Sequence, residues 1–430
     1  MNPVVIIPTY ISARRRGEQG TVVATYDHTT AITGEGELPR CLDSLRKVTG
    51  LGQIVILAAS DASIGAQAAE KVRRTAAQFP DLDITVVGAA ELASIRQRME
   101  QLGVAVGPEV GLEGYGAVRN LGLVVADALD FDAAVFLDDD AVVEDPAFLE
   151  KAMYGLGKLT RRGIPILAKT GYYLNEEGSY RSSRSTKWYD RFWEQGAAFN
   201  EWIEHAMRGP RLSRSSHVCG GCLALHKEAF RRVAFDPYIA RGEDLDYLLD
   251  LRMYGSDIWF DNRWLMRHLP PATPREGLRF RQDIFRWLYE CRKIEYARTQ
   301  IDLLQIKPQS LQPYPGPFID NGVARRIKWT AWLRSIGRPD GKGYRRAAKS
   351  ATTDAARYAE EHCACYFQFQ FKWPALMARC ENDAVMQAAL ADASNQERDR
   401  TADIRAASRA AGGVSPGETT EIRLNIGSGE

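Results

Sequence analysis

Three consecutive aspartates, Asp138-Asp139-Asp140, close the apolar run Ala133 to Leu137. At the end of a buried strand each carboxylate raises the pKa of its neighbours, and a divalent cation is the natural remedy. Oxygen donors select a hard ion, Mg2+ or Mn2+, and magnesium commonly shares one or two carboxylates with substrate phosphates. The same residues also suit an acidic turn capping the helix that Asp145-Pro146 opens. A second acidic group lies in Arg241-Gly242-Glu243-Asp244-Leu245-Asp246 and runs on to Asp250. Acidic residues in a first helical turn are favoured by the helix dipole, so capping and solvation explain part of it. The spacing adds more: Asp244, Leu248 and Leu251 share one stripe, which turns Asp244 inward, whereas Glu243 aligns with the polar Asp246 and Asp250. A partly desolvated Asp244 could act as general base toward a hydroxyl.

His268 ends the stretch Trp264-Leu265-Met266-Arg267 before Leu269-Pro270-Pro271. It reads either as a packed histidine or as a metal ligand. His217-Val218-Cys219-Gly220-Gly221-Cys222, with His226, has the look of a zinc site, but no second cysteine pair follows at finger spacing. Gly220 and Gly221 are read instead as allowing close backbone approach to a substrate.

The elements that must position these groups alternate. Val4 to Ile7 and Ile54 to Leu57 are β-branched runs typical of buried parallel strands, with helical spacing over Leu38 to Val48 between them. Helical stretches near 66–78, 91–102 and 115–129 flank a strand at Ile84 to Val87 and another at Ala133 to Leu137. Strand-like runs cover 164–174 and 218–225, with Trp188, Trp193 and Trp202 in the polar stretch between. The pattern predicts an α/β fold, a doubly wound, mainly parallel sheet with ligands at the strand carboxyl ends. Segment 11–36, with Arg14-Arg15-Arg16, is expected to form a long loop or small hairpin beside the first strand. Beyond Pro270-Pro271 the chain reads as helical. Residues 279–301 place Phe280, Ile284, Trp287 and Ile294 on one stripe, with arginines opposite. The expected organisation is a domain over 1–270, a helical region over 271–390 and a flexible tail over 391–430.

The 430 residues carry 56 Lys and Arg against 55 Asp and Glu, so no global charge recruits nucleic acid. Seven scattered cysteines and the absence of an 18-residue apolar run point to a soluble, cytoplasmic chain without a transmembrane segment. The short uncharged start does not read as a signal peptide.

Taken in order, Ile6-Ile7-Pro8-Thr9-Tyr10, Ala59-Ser60-Asp61, Gly116-Ala117-Val118-Arg119-Asn120, Leu137-Asp138-Asp139-Asp140, Gly220-Gly221-Cys222-Leu223 and Gly242-Glu243-Asp244 resemble a family 2-type glycosyltransferase of GT-A fold over about residues 3–270. The resemblance implies a nucleotide pocket lined by Pro8, Thr9 and Tyr10, with Asp61 facing the base. Arg119 and Asn120 face the nucleotide sugar, and Asp138, with Asp139, lies near the ribose. Asp140 holds Mn2+ or Mg2+ together with His268 and Asp138, and Asp244, or less favourably Glu243, deprotonates the acceptor for inversion. The implied donor is a UDP- or GDP-sugar, and the acceptor is a small molecule, a glycan or a lipid-linked hydroxyl beside Gly220 and Gly221. The insertion at 11–36 departs from the short loop common in the family. So does Asp61, which stands in a turn less acidic than usual.

Other readings are a retaining transferase of the same fold, a sugar-nucleotide nucleotidyltransferase and a catalytically silent glycan- or partner-binding protein. Trp188, Trp193 and Trp202 suit either an acceptor groove or core packing. The basic face of 279–301, with Arg279, Arg281, Arg286, Arg292 and Lys293, suits packing on its own domain or a subunit contact better than peripheral contact with the inner face of a membrane.

Overall fold

The computed structural model describes residues 1–13, 26, 29–182, 186–271, 276–347 and 352–395. Arg14-Arg15-Arg16 and residues 396–430 of the expected tail lie outside them. The strands are β1 (Pro3–Ser12), β2 (Thr30–Ala31), β3 (Ile54–Ser60), β4 (Ile84–Val87), β5 (Ala133–Phe136), β6 (Ala141–Val142), β7 (Ala168–Leu174), β8 (Leu212–Arg214), β9 (Leu223–His226) and β10 (Ile258–His268). The helices through the sheet region are α1 (Leu38–Leu45), α2 (Gly65–Ala76), α3 (Ala89–Gln101), α4 (Tyr115–Ala128), α5 (Phe148–Met153), α6 (Gln195–Arg208), α7 (Lys227–Phe230) and α8 (Glu243–Met253). Five more follow: α9 (Glu276–Ala297), α10 (Val323–Gly337), α11 (Gly341–Arg346), α12 (Thr352–Cys380) and α13 (Ala384–Ala391).

All these strands join one sheet, whose main path runs β4-β3-β1-β5-β9-β7-β10-β6. β9 pairs antiparallel with both β5 and β7, so β4, β3, β1, β5, β7 and β10 run one way with β9 against them. This is the α/β class expected, with a mainly parallel sheet and a helical C-terminal part. The period of two along β1 and β3 feeds both faces. Val4, Ile6, Val55 and Leu57 enter one core cluster with α4, while Val5, Ile7, Ile54 and Ile56 enter the other with α1 and α2. Such strands, covered on both faces, read as unbroken apolar runs.

Two features differ from expectation. β2 lies parallel to β1, with Ile11 opposite Thr30, so the described part of the 11–36 insertion is not a hairpin. β10 is a long strand where the sequence pattern predicts none. Its middle, Asp261-Asn262-Arg263, is polar, and the register shifts between Phe260 and Leu265. Asp261 is nevertheless fully buried, because Lys169 Nζ on β7 pairs with it at 3.0 Å.

The apolar stripe of α9, with Phe280, Ile284, Trp287 and Ile294 buried, packs into the same core cluster as α4 and α8. A fully buried large side chain such as Trp287 contributes on the order of 2–3 kcal/mol. Of the basic residues opposite, Lys293 is fully buried and Arg286 is 7% exposed, so these two pack on the chain's own domain. At the far edge Ile84 N donates to Asn395 Oδ1 at 3.0 Å, and Ser394 bridges Thr85, so the chain through 395 covers the free edge of β4. Among the described residues no helix is long and apolar enough to cross a membrane.

Candidate metal centre and acidic cleft

β5 runs parallel to β1 and ends opposite Ile6, so the aspartates that follow it lie alongside Thr9, farther up β1. The aspartates diverge. Thr9 Oγ1 donates to Asp139 Oδ2 at 2.6 Å, whereas Asp138 and Asp140 turn the other way. β6 begins at Ala141 and pairs antiparallel with the end of β10, His268 opposite Ala141. This short pairing carries an imidazole from residue 268 to the aspartates, with His268 Nε2 3.2 Å from Asp140 Oδ2. Tyr173 of β7 backs the imidazole at 4.8 Å between ring centroids.

One ligand atom each from Asp138, Asp140 and His268 lies within 4.8 Å of the others, and among the described residues this is the one such group that could hold a metal ion. Two carboxylate oxygens and an imidazole nitrogen fit a hard or borderline divalent ion such as Mn2+ or Mg2+. The electrostatics point the same way. Burial, opposed by Arg119 and reinforced by Asp140, pushes the Asp138 carboxyl up to about 6. Burial and the charge of Asp140 push Asp139 up to about 8. For His268, burial disfavours the imidazolium, but the hydrogen bond to Asp140 and the charges of Asp140 and Asp138 outweigh it and raise the pKa. The cluster holds more negative charge than the protein around it neutralises. Cys219 and Cys222, by contrast, are buried in a turn closed by Cys222 N to Cys219 O at 2.8 Å, and among the described residues they join no group of three candidate metal ligands.

Arg119, on the first turns of α4, is the hub beneath the site. Its Nε donates to Glu243 Oε1 at 2.8 Å and its Nη1 to Gly220 O at 3.1 Å, and its Nη2 lies 3.7 Å from Asp138 Oδ1. It sits over Phe136 at 4.9 Å from the ring centre and is 4% exposed. Glu243 is therefore occupied by Arg119 and buried. Asp244 is half-buried, accepting from Gly220 N at 3.1 Å and from its neighbour Leu245 N at 2.7 Å. The expected pairing of Glu243 with a solvated stripe does not hold, because Asp246 and Asp250 are fully buried against Lys293 of α9.

Gly220 and Gly221 separate the two acidic groups. A Cβ on Gly221 would lie 2.4 Å from Asp138 Cγ, and one on Gly220 would lie 2.7 Å from Arg119 Nη2 and 3.1 Å from Asp244 Cβ. The glycines thus let one loop touch the metal-competent aspartate, the hub arginine and the candidate base at once. Tyr173 closes it from below, its hydroxyl accepting from Gly221 N at 3.0 Å.

Other expected site residues lie apart. Asn120 is fully buried, its amide donating to Glu109 O and Phe235 O and accepting from Phe235 N, so it clamps two loops and presents nothing to a cleft. Trp193 is 3% exposed among Phe280 and Phe318, and Trp202 is core, so neither lines an open groove. Pro8 is buried in β1, and Asp61 is exposed at the turn after β3. Tyr10 stands at the carboxyl end of β1 with Tyr26 at 4.0 Å and Tyr115 at 5.4 Å between ring centroids. Tyr26 and Tyr115 were not singled out in the sequence. Aromatic residues inside a polar insertion and before a helix carry no periodic signal.

No protein-family model matches the chain, and no curated protein matches it. It is similar to a solved mannosyltransferase from Pyrobaculum calidifontis in complex with GDP-Man and Mn2+, at 14% identity and a TM-score of 0.41 over 90% of this chain and 86% of that one. It is also similar to GalNAc-T7 with UDP, GalNAc and Mn2+, at 14% identity and 0.37 over 79% of this chain and 58% of that one. A third is glucosyl-3-phosphoglycerate synthase from Mycobacterium tuberculosis with Mn2+ and UDP-glucose, at 14% identity and 0.31 over 64% and 72%. At this distance, function has to be argued from the site itself.

Proposed function

We propose that this chain is a divalent-metal-dependent glycosyltransferase that moves a sugar from a nucleoside-diphosphate sugar to an acceptor hydroxyl with inversion. The observation that carries the reading is the Gly220-Gly221 loop, which packs against Asp138 on one side and Asp244 on the other. It sets a cation-competent cluster and a half-buried carboxylate side by side. Asp138, Asp140 and His268 would hold Mn2+ or Mg2+, which when bound supplies Lewis-acid stabilisation of the diphosphate.

The chain's own residues do the rest. Thr9 holds Asp139, and Tyr10 with its aromatic neighbours offers a face to the nucleotide base. Arg119 pairs with the buried Glu243 and fixes the loop. Asp244, the accessible member of the acidic pair, takes the acceptor hydroxyl proton as the oxygen bonds to the anomeric carbon. The bond from that carbon to the diphosphate breaks on the opposite side, and the nucleoside diphosphate leaves with its electron pair.

The test is thermal stabilisation by UDP, GDP and their sugars with Mn2+, Mg2+ or EDTA, beside Asp140→Ala. Ligand at about 100 times its Kd stabilises the native state by about 2.7 kcal/mol. A shift that requires metal and is lost in Asp140→Ala supports the donor site. Absence of any shift refutes it. The anomeric configuration of the product, read by NMR, separates inversion from retention.

A further inference from the structure

α10 is turned inside out relative to an ordinary surface helix. Arg334 faces the protein, bonded to Asp190 at 2.8 Å and lying over Phe280 at 4.9 Å. Trp329, Trp332 and Ile336 face outward and are 51%, 53% and 62% exposed. With Arg325 they occupy one stripe at successive spacings of four, three and four residues. The stripe continues onto the turn at 188–190. Trp188 is 59% exposed and approaches Gly337, and Phe192 lies 6.2 Å from Trp329 between ring centroids. Isolated exposed apolar residues are ordinary, but a contiguous patch containing three tryptophans marks a contact surface.

Charge identifies what the surface meets. Residues 321–347 contain eight Lys and Arg and one Asp; Arg326, Arg334 and Arg338 pair with Asp320 and Asp190, which leaves the exposed cations to the outer face. Arg325 and Lys328 border the aromatic stripe, and Lys342 and Arg345 of α11 are also exposed. Tryptophan is favoured at the boundary between acyl chains and headgroups, and flexible cationic side chains reach anionic headgroups around it. A convex helix face with an aromatic ridge and a cationic border suits a bilayer better than a nucleic acid, which would be met by a basic groove with stacking platforms.

We infer that the α10–α11 face docks on an anionic lipid surface, with Trp329, Trp332 and Ile336 entering the headgroup region and Arg325 and Lys328 pairing with lipid phosphates. This is a different helix from the 279–301 segment, where Arg286 and Lys293 serve the interior. The inference is independent of donor chemistry, because vesicle binding requires no nucleotide.

The test is co-sedimentation of the full chain with vesicles of pure phosphatidylcholine and of equal parts phosphatidylcholine and phosphatidylglycerol. Quenching of tryptophan fluorescence by lipids brominated on the acyl chains is read in parallel. The wild type is expected to partition onto the anionic vesicles only, and to be released as salt rises to about 0.5 M. Trp329→Ala with Trp332→Ala should lower partitioning at least tenfold and reduce quenching, and Arg325→Gln with Lys328→Gln should lower partitioning about 25-fold, about fivefold per charge. Both variants should melt with the wild type, since the altered side chains face water. Equal partitioning of wild type and variants overturns the inference, as does the absence of wild-type binding. Retention on single-stranded RNA without vesicle binding overturns it in favour of a nucleic-acid surface.

Discussion

Replacing Lys293 by methionine tests how α9 holds the acidic helix in place. Lys293 Nζ is fully buried and lies 2.9 Å from Asp236, 2.8 Å from Asp246 and 2.7 Å from Asp250. Glu290 is also fully buried beside them, Tyr289 donates to Asp236 at 2.9 Å, and the ammonium lies 3.7 Å from the Tyr366 ring centre. Lys293, with Arg286 beside Glu290, faces four carboxyl groups, and burial favours their neutral forms. Burial, offset by Lys293, pushes Asp236 up to about 6, and burial with the charge of Asp246 also raises Asp250 and Glu290. Methionine keeps the aliphatic volume and removes the charge, so the folded variant must retain about one more proton than the wild type.

A carboxyl whose folded pKa is raised contributes stability at low pH that is lost as pH climbs through that pKa. The variant's deficit therefore grows with pH, by about 1.4 kcal/mol per unit for each extra proton held. Between pH 5 and 8 this accumulates to about 4 kcal/mol, in line with the 3–5 kcal/mol typical of removing one partner of a buried pair. Urea denaturation at pH 5, 6, 7 and 8 measures it. A deficit independent of pH, or none at pH 8, would refute the account of the cluster.

Glu243→Gln and Asp244→Asn should separate structural from catalytic acid. Glu243→Gln leaves Arg119 buried without its closest carboxylate and should cost about 3–5 kcal/mol of stability by urea denaturation. Asp244→Asn should keep the melting temperature within a few degrees while kcat for transfer falls about 100- to 10,000-fold. Gly221→Ala drives a methyl into Asp138 and should cost about 1–3 kcal/mol and weaken Mn2+ binding by calorimetry, whereas alanine at the exposed Gly52, where a Cβ would meet only Pro3 O at 3.9 Å, serves as a surface control.

The parallel half of the sheet is legible because β1, β3, β4 and β5 are local events: short apolar runs, β-branched in the first three, closed by turns. The metal-competent aspartates are legible for a related reason, since charge at the end of an apolar strand is costly unless something answers it. What resisted reading depends on partners distant along the chain. Asp261 hides β10 as long as Lys169, 92 residues earlier, is unseen. Asp246 and Asp250 look like a solvated face until Lys293 arrives from α9. Asn120 is polar in a motif and so looks like a ligand, yet its bonds to Phe235 N and O, 115 residues on, make it a clamp. The outward tryptophans of α10 would be assigned to a core by periodicity alone. The ion pair between Arg334 and Asp190, 144 residues apart, reverses the helix.

These long-range pairs explain why the helical C-terminal part belongs to the chemistry of the sheet. α8 presents Glu243 and Asp244 from its first turn, and that turn is positioned from two directions. Arg119 holds Glu243 from the sheet side, and Lys293 holds Asp246 and Asp250 from α9. Arg286 of α9 adds a third contact, its Nη2 reaching Gly242 O at 3.5 Å with the guanidinium packed on the Gly242 backbone, where φ is +75° and any Cβ would collide with it. A rigid helix start is what a general base requires, since a displacement of about 1 Å is enough to cost two orders of magnitude in rate. Placing the fixing cations on a separate helical layer leaves the half-buried Asp244 free of a salt bridge among the described residues. The ion pairs fall to its neighbours.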